Sequence, residues 1–221
     1  MNYVFQFGPI LARWPEFLYG VWRTMELTAA SVAVGFVIGV LGALGRSFGP
    51  LWLRALIGAY VEIIRNTPLL VQLYFVFFSL PLLGLRLSSD QAAILALSIH
   101  LGAYATEILR AGIQSIPGGQ IEAAKSLGLS RRQIIRHVIM VPAVRAVYPA
   151  LTSQFILQLL GTSIVSAIAA EELTAIANNM AMQTFRNFEI YIVIAVIYFV
   201  LVRVCDLVFR LASRFLFRWK T

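Results

Sequence analysis

Charge is what this chain has least of. Of its 221 residues, 13% are Asp, Glu, Lys or Arg and 60% are hydrophobic, whereas an average soluble domain is about 25% charged. That balance excludes an ordinary soluble core wrapped in a solvated surface. Cysteine occurs once, at Cys205, which excludes an internal disulfide and a thiolate metal cluster. Histidine occurs twice, at His100 and His137, too few for a His-built metal site without carboxylate help. Lysine also occurs twice, at Lys125 and Lys220, and neither follows a glycine. The phosphate-cradling loop G-x-x-x-x-G-K-[ST] is therefore missing, and the chain is not an ATPase by itself. No nucleophile–base pair stands out, so the chain does not read as an enzyme, and no metal or cofactor of its own is expected. No basic start precedes the first apolar run, so no cleaved signal peptide is expected.

What is present is a series of long uncharged runs. Leu27–Gly45 has 19 residues, Asn66–Leu85 has 20, Gln91–Thr106 has 16 and Ala146–Ala170 has 25; Ile190–Val202 has 13 and continues through Leu207–Phe209. About 20 helical residues cross a hydrocarbon core of about 30 Å. These runs predict an all-α membrane protein with five spanning helices. Lys and Arg favour cytoplasmic segments. With the N-terminus outside and the C-terminus in the cytoplasm, thirteen basic residues fall inside and four outside, with Arg145 at the start of the fourth span. The net charge of +8 then follows from topology and contact with membrane lipid, and a nucleic-acid partner is not needed to explain it.

Within the first run, Ser31, Gly35, Gly39 and Gly42 share one helical face, a pattern that lets helix backbones approach closely inside a membrane; packing within the subunit is the expected use. Polar residues inside spans are functional candidates by default. Here they are Gln72 and Tyr74 in the second span, Glu107 near the cytoplasmic end of the third, and Thr162, Ser163 and Ser166 in the fourth. Glu171 and Glu172 follow at its outer end, beside the gate, where three roles are open: contact with an external binding protein, capping of the span with Thr174, or favouring a cationic substrate.

The most polar long stretch, Gln120–Pro142, reads QIEAAKSLGLSRRQIIRHVIMVP. Pro117-Gly118-Gly119 ends whatever precedes it. Gln120–Leu127 predicts a short helix with Glu122 near its N-terminus, where a carboxylate suits the helix dipole. Ala123 and Ala124 predict a bare patch open to close approach. Gly128 suits the left-handed position after a helix. Ser130-Arg131-Arg132-Gln133 fits a capping box opening a second helix.

The Glu-Ala-Ala…Gly…Pro pattern of this stretch resembles the EAA loop of the membrane subunits of ABC-type importers. Three further blocks agree: RNTPLLVQLYFVFF (Arg65–Phe78), AYATEILRAGIQSIPGGQIEAAKSLGLS (Ala103–Ser130) and TSIVSAIAAEEL (Thr162–Leu173). Together they resemble the polar amino-acid uptake permeases of the histidine/glutamine/arginine type, over roughly Gly20 to Phe209. The resemblance implies a single permease domain over residues 1–221, with a coupling loop at about 113–137. It implies that Glu122, Ala123, Ala124 and Gly128 couple the spans to a separate ABC ATP-binding subunit, which binds ATP and Mg. It also implies a second permease chain, the same or paralogous, and a periplasmic or surface solute-binding protein. The expected cargo is polar amino acids or derivatives, including opine-like compounds, carried across the inner membrane past Gln72, Tyr74, Thr162, Ser163, Ser166 and Glu172. The family pattern spaces its loop glycine and proline thirteen apart, whereas Gly128 and Pro142 are fourteen apart. One added helical residue turns the following face by about 100°, which predicts a bulge or rewinding there.

Overall fold

The computed structural model describes residues 3–216. Arg218 and Lys220, two of the basic residues assigned to the inner side, lie outside the described residues. Among the described residues every regular element is helical. After a short turn of helix, α1 (Gly8–Leu11), come α2 (Trp14–Phe48), α3 (Leu51–Arg65) and α4 (Leu69–Ser79), the last running into a 3₁₀ turn at Leu80–Leu83. Next are α5 (Ser89–Gln114) and α6 (Gly118–Ser126). α7 (Arg131–Gln133) passes through a π-helical stretch, Ile134–Met140, into α8 (Val141–Gly161), which tightens to 3₁₀ at Thr162–Ile168. α9 (Leu173–Thr184) and α10 (Asn187–Leu216) complete the order.

Among the described residues, four helical stretches are long and apolar enough to cross a membrane: Trp14–Phe48, Ser89–Gln114, Arg131–Ile168 and Asn187–Leu216. The fifth span differs from the one read in the sequence. Asn66–Leu85 is not one helix. α3 and the Leu69–Leu83 segment together have the composition of a span, but they bend by 108° at the break between them. The cause is local. Proline disfavours helical backbone at the residue before it, and Pro68 itself takes an extended conformation as the cap of α4.

The helices pack as two compact units. The first comprises residues up to Val32, Pro68–Leu97 and Ile156–Val208; the second comprises Ala33–Thr67, Ser98–Phe155 and the residues from Phe209 on. In the first unit, Leu27, Leu73, Ala92, Ala96, Leu97, Val165 and Ile168 form one core. Phe17, Leu173, Met180, Ile190 and Ile194 belong to another. The second unit contains the seam expected from the glycine face of α2. A β-carbon built on Gly39 would stand 2.4 Å from Ala105 Cβ, and one on Gly42 would stand 2.3 Å from Thr106 Oγ1. Both distances are far inside van der Waals contact, so the approach of α2 to α5 requires glycine at these two positions.

The π-helical stretch explains how the long Gly128–Pro142 interval fits. A π turn bonds residue i to i+5 and holds one residue more than an α turn. Ile134–Met140 therefore takes up the added residue and keeps the faces before and after it in register. The second loop helix is consequently not a short separate element, since it continues as the start of the fourth span.

Candidate functional site: a turned loop and two sets of polar residues

The loop is built from local rules. Pro117 precedes the first residue of α6 in extended backbone. α6 closes at Leu127, and Gly128 takes φ +73 with no atom within 4 Å of a built β-carbon. The position thus selects glycine through its backbone conformation and not through crowding. Ser130 Oγ accepts from Gln133 N at 3.4 Å, and Gln133 Oε1 accepts from Ser130 N at 2.8 Å, a complete capping box. Beneath the turn, Ala124, Ile134 and Ile139 are buried together, with Ile113, Ile116, Ile121 and Leu129 packed around them.

This geometry changes two expectations. α6 begins at Gly118, so Glu122 is its fifth residue and lies beyond the first turn, where the dipole acts most strongly. Ala124 is only 6% exposed; it faces the loop's own core and is not part of an open patch. Glu122, Ala123 and Gly128 are exposed. The exposed face also includes Leu127, 79% exposed, which the sequence pattern did not single out. A leucine beside a helix-ending glycine reads equally well as a buried cap contact.

The intramembrane polar candidates other than Glu107 lie in the first unit. α4, carrying Gln72 and Tyr74, packs against the Thr162–Ile168 segment. Gln72 is buried and Tyr74 is exposed. The three hydroxyls turn back on their own helix: Thr162 Oγ1 donates to Leu159 O at 2.7 Å, Ser163 Oγ to Leu160 O at 2.7 Å and Ser166 Oγ to Ser163 O at 2.8 Å. Glu172 is fully buried. It caps α9, accepting from Thr174 N at 2.8 Å and Ala175 N at 2.7 Å, and Tyr198 Oη donates to it at 2.8 Å. Burial pushes this carboxyl upward, opposed by those hydrogen bonds. Of the three roles open to Glu172 in the sequence, it fills a capping one here, at the start of α9. Its neighbour Glu171 is exposed and accepts from Tyr19 Oη at 3.0 Å.

A second polar set lies in the second unit, and of its members the sequence singled out Glu107 as a candidate. Arg46, Arg54, Glu62, Arg65, Asn66, Tyr104 and Glu107 line a cavity of ≈ 680 Å³. Glu107 accepts from Arg46 Nη1 at 2.7 Å and from Arg110 Nε at 3.1 Å. Arg54 Nε donates to Gly49 O at 2.8 Å. The Arg65 guanidinium lies 5.4 Å from the centre of the Tyr104 ring.

With spans, loop and polar sets in place, the comparison with known proteins is direct. Residues 4–218 match the family described as "Binding-protein-dependent transport system inner membrane component". The chain belongs to that family. It is a multi-pass inner-membrane permease component of an ABC transporter and not an enzyme. It is 39% identical to the probable glutamine ABC transporter permease protein GlnM of Bacillus subtilis, over 84% of this chain and 86% of that one. It is 34% identical to the glutamine transport system permease protein GlnP of Escherichia coli, over 95% and 97%. Among solved structures, the crystal structure of an amino acid ABC transporter with histidines superposes with a TM-score of 0.90 at 36% identity, covering 96% of this chain and 99% of that one. The likeness to amino-acid uptake permeases read from the four motif blocks agrees with these relatives.

Proposed function

We propose that this permease carries polar amino acids or their derivatives, opine-like conjugates included, from an external solute-binding protein across the inner membrane. Its N-terminus faces outward and its C-terminus the cytoplasm. It works beside a second permease chain, identical or paralogous, and a separate ATP-binding subunit holds the ATP and Mg. The loop at Gly118–Gln133 is the handle on which that subunit acts. Glu122, Ala123, Leu127 and Gly128 form the docking surface, and Ala124 anchors it from beneath. The substrate path runs by Gln72, Tyr74, Thr162, Ser163 and Ser166, with Glu172 holding α9 beside it.

The observation that carries this reading is the loop itself: an exposed short helix, a glycine held at φ +73 and a closed capping box on a small apolar core. A loop needed only to join two spans would not require a turn this sharply specified. Because α7 runs through the π-helical stretch into the fourth span as one helical segment, a push on the turn has a continuous path into the membrane.

The test is co-purification of the ATP-binding subunit with loop variants, read beside uptake in reconstituted vesicles. Gly128→Val places a β-branched residue in left-handed backbone, and Glu122→Lys reverses an exposed charge. Both should insert normally and lose ATPase binding or its stimulation by loaded solute-binding protein. If both keep full coupled uptake, the loop is only a surface feature facing lipid.

A further inference from the structure

The arginine-lined cavity has a charge arrangement that topology alone does not require. Arginines gathered at an inner membrane face need only point at lipid phosphates. Here the lining carries both signs. Glu107 is shared by Arg46 and Arg110, so its charge is already matched. Arg65 and Glu62 are not. Among the described residues neither side chain has an ion-pair or hydrogen-bond partner, although they are three apart on one helix. Arg65 is held by its ring contact instead: Tyr104 lies under the guanidinium, an arrangement that favours the cation and leaves its N–H edge open. Asn66 adds a neutral polar side chain to the lining.

The faces of α3 say which kind of ligand this is. At 100° per residue, Arg54, Gly58, Val61, Glu62 and Arg65 share the cavity side. Trp52, Leu56 and Ile63 fall on the opposite side and are 68%, 62% and 62% exposed. A bound phospholipid would need acyl-chain contacts next to its head group, and apart from Leu51 in its first turn α3 carries its exposed large apolar residues on the other side. The cavity lining combines small residues, Ala55, Gly58 and Ala59, with charges of both signs outside any ion pair among the described residues, Glu62 beside Arg54 and Arg65. Its volume of ≈ 680 Å³ is within the range of ligand clefts, about 300–1,000 Å³.

We propose that this cavity receives the zwitterionic head group of the transported amino acid, the Arg65 guanidinium taking the α-carboxylate and the Glu62 carboxylate taking the α-ammonium. A planar guanidinium matches a carboxylate through two parallel N–H···O bonds. Arg46 and Arg54 add positive potential without being essential partners. Such a site reads the part common to all α-amino acids, and side-chain selection falls to other residues. The inference rests on the amino-acid importer reading above.

The experiment uses the permease–ATPase complex in vesicles and nanodiscs, with the twenty proteinogenic amino acids as radiolabelled probes. Uptake by wild-type vesicles with solute-binding protein identifies the cargo; uptake of none of the twenty overturns this head-group site for an unmodified amino acid and leaves the importer reading for derivatives to be tested with opine-like probes. Equilibrium binding of that cargo and of its α-carboxamide is then measured on nanodiscs without the solute-binding protein. Arg65→Gln should weaken the amino acid at least about tenfold, the loss expected for a charged hydrogen-bonded contact, and leave the carboxamide unchanged. Glu62→Gln should weaken both probes, because both keep the ammonium. Arg65→Lys should fall between wild type and Arg65→Gln. Co-purification of the ATPase confirms that each variant is assembled. The site is overturned if the wild type imports the cargo yet binds none of it at about 1 mM. It is also overturned if Arg65→Gln binds the amino acid as well as wild type does, or weakens the amino acid and its carboxamide alike. A loss in Arg65→Gln that appears only in nanodiscs containing anionic lipid assigns the cavity to a lipid head group and overturns it too.

Discussion

Two polar regions of this permease use their hydrogen-bonding groups in opposite ways. Around Glu172 in the first unit, each polar group is matched inside the protein. Glu172 caps α9 and accepts from Tyr198, the Tyr198 and Thr174 hydroxyls lie 2.9 Å apart, and Thr24 Oγ1 accepts from Leu173 N at 3.1 Å. Gln158 Nε2 likewise donates to Ser31 Oγ at 3.2 Å and Leu97 O at 2.9 Å. Around Arg65 in the second unit, opposite charges three residues apart stay separate and line an open cavity. A polar residue in a membrane segment is therefore ambiguous by itself. Groups matched by neighbours hold the fold, and groups left facing a cavity are available to a ligand.

The largest effect expected from this contrast is at Glu172. Removing it with Glu172→Ala leaves two amide N–H groups and the Tyr198 hydroxyl without their acceptor in a buried site. The loss should be about 2–3 kcal/mol, from a helix cap plus buried hydrogen-bonding groups left unmet, read as a lowered melting temperature of the detergent-solubilised protein. Burial raises this carboxyl above its usual 4.5, so the folded state favours its protonated form. Its stabilising contribution is fullest below that value and declines as pH rises through the raised one. The advantage of wild type over Glu172→Gln should accordingly be greatest near pH 4.5 and narrow as pH rises. A constant difference across that range would mean the carboxyl is not shifted by burial.

A smaller loss is expected at Thr162. Its hydroxyl is buried and donates to Leu159 O within the same helix, so Thr162→Val removes one satisfied donor and leaves one carbonyl without it. About 1 kcal/mol is expected, again from thermal unfolding. A loss as large as that of Glu172→Ala would show that Thr162 supports more than its own turn.

These sites also show what the sequence could and could not reveal. The loop was legible because its determinants are short-range: glycine at one backbone position, and a serine and glutamine three residues apart. The Gly35–Gly39–Gly42 face was legible because helical periodicity alone puts small residues on one side. The bend at Asn66–Pro68 was missed because a count of uncharged residues runs straight through a proline. α3 was missed for the converse reason, since Arg54, Glu62 and Arg65 interrupt any uncharged run although they occupy one face of a regular helix. The burial of Ala124 depends on Ile134 and Ile139, ten and fifteen residues further along, beyond the reach of a pattern of adjacent residues. That Glu172 is matched and that Arg65 rests on a ring were likewise invisible, because Tyr198 and Tyr104 come from other helices.

Next in size comes Ser163. Its hydroxyl donates to Leu160 O but keeps acceptor capacity, and the residue is partly exposed. Ser163→Ala should change the melting temperature very little, as exposed substitutions do. If the serine lines the substrate path, the variant should alter the rate or selectivity of uptake while ATPase assembly stays intact. Unchanged uptake would place Ser163 with the structural hydroxyls.

The smallest structural effect, and the sharpest test of the contrast, is at Glu62. The residue is exposed on α3 and has no partner among the described residues. Glu62→Gln keeps its size and its helix-forming tendency, so thermal unfolding should match wild type. If the unpaired charge serves a ligand, the same variant should still lower amino-acid uptake. That pairing inverts what is expected at Glu172, where stability falls with the carboxylate. The measurement is a melting curve and an uptake rate on one preparation of each variant. A lower melting temperature for Glu62→Gln would mean that its carboxylate is matched within the assembled transporter, and the two polar regions would then differ only in where their partners lie. An unchanged melting temperature with unchanged uptake would leave Glu62 a solvated surface charge and confine function in this unit to the loop.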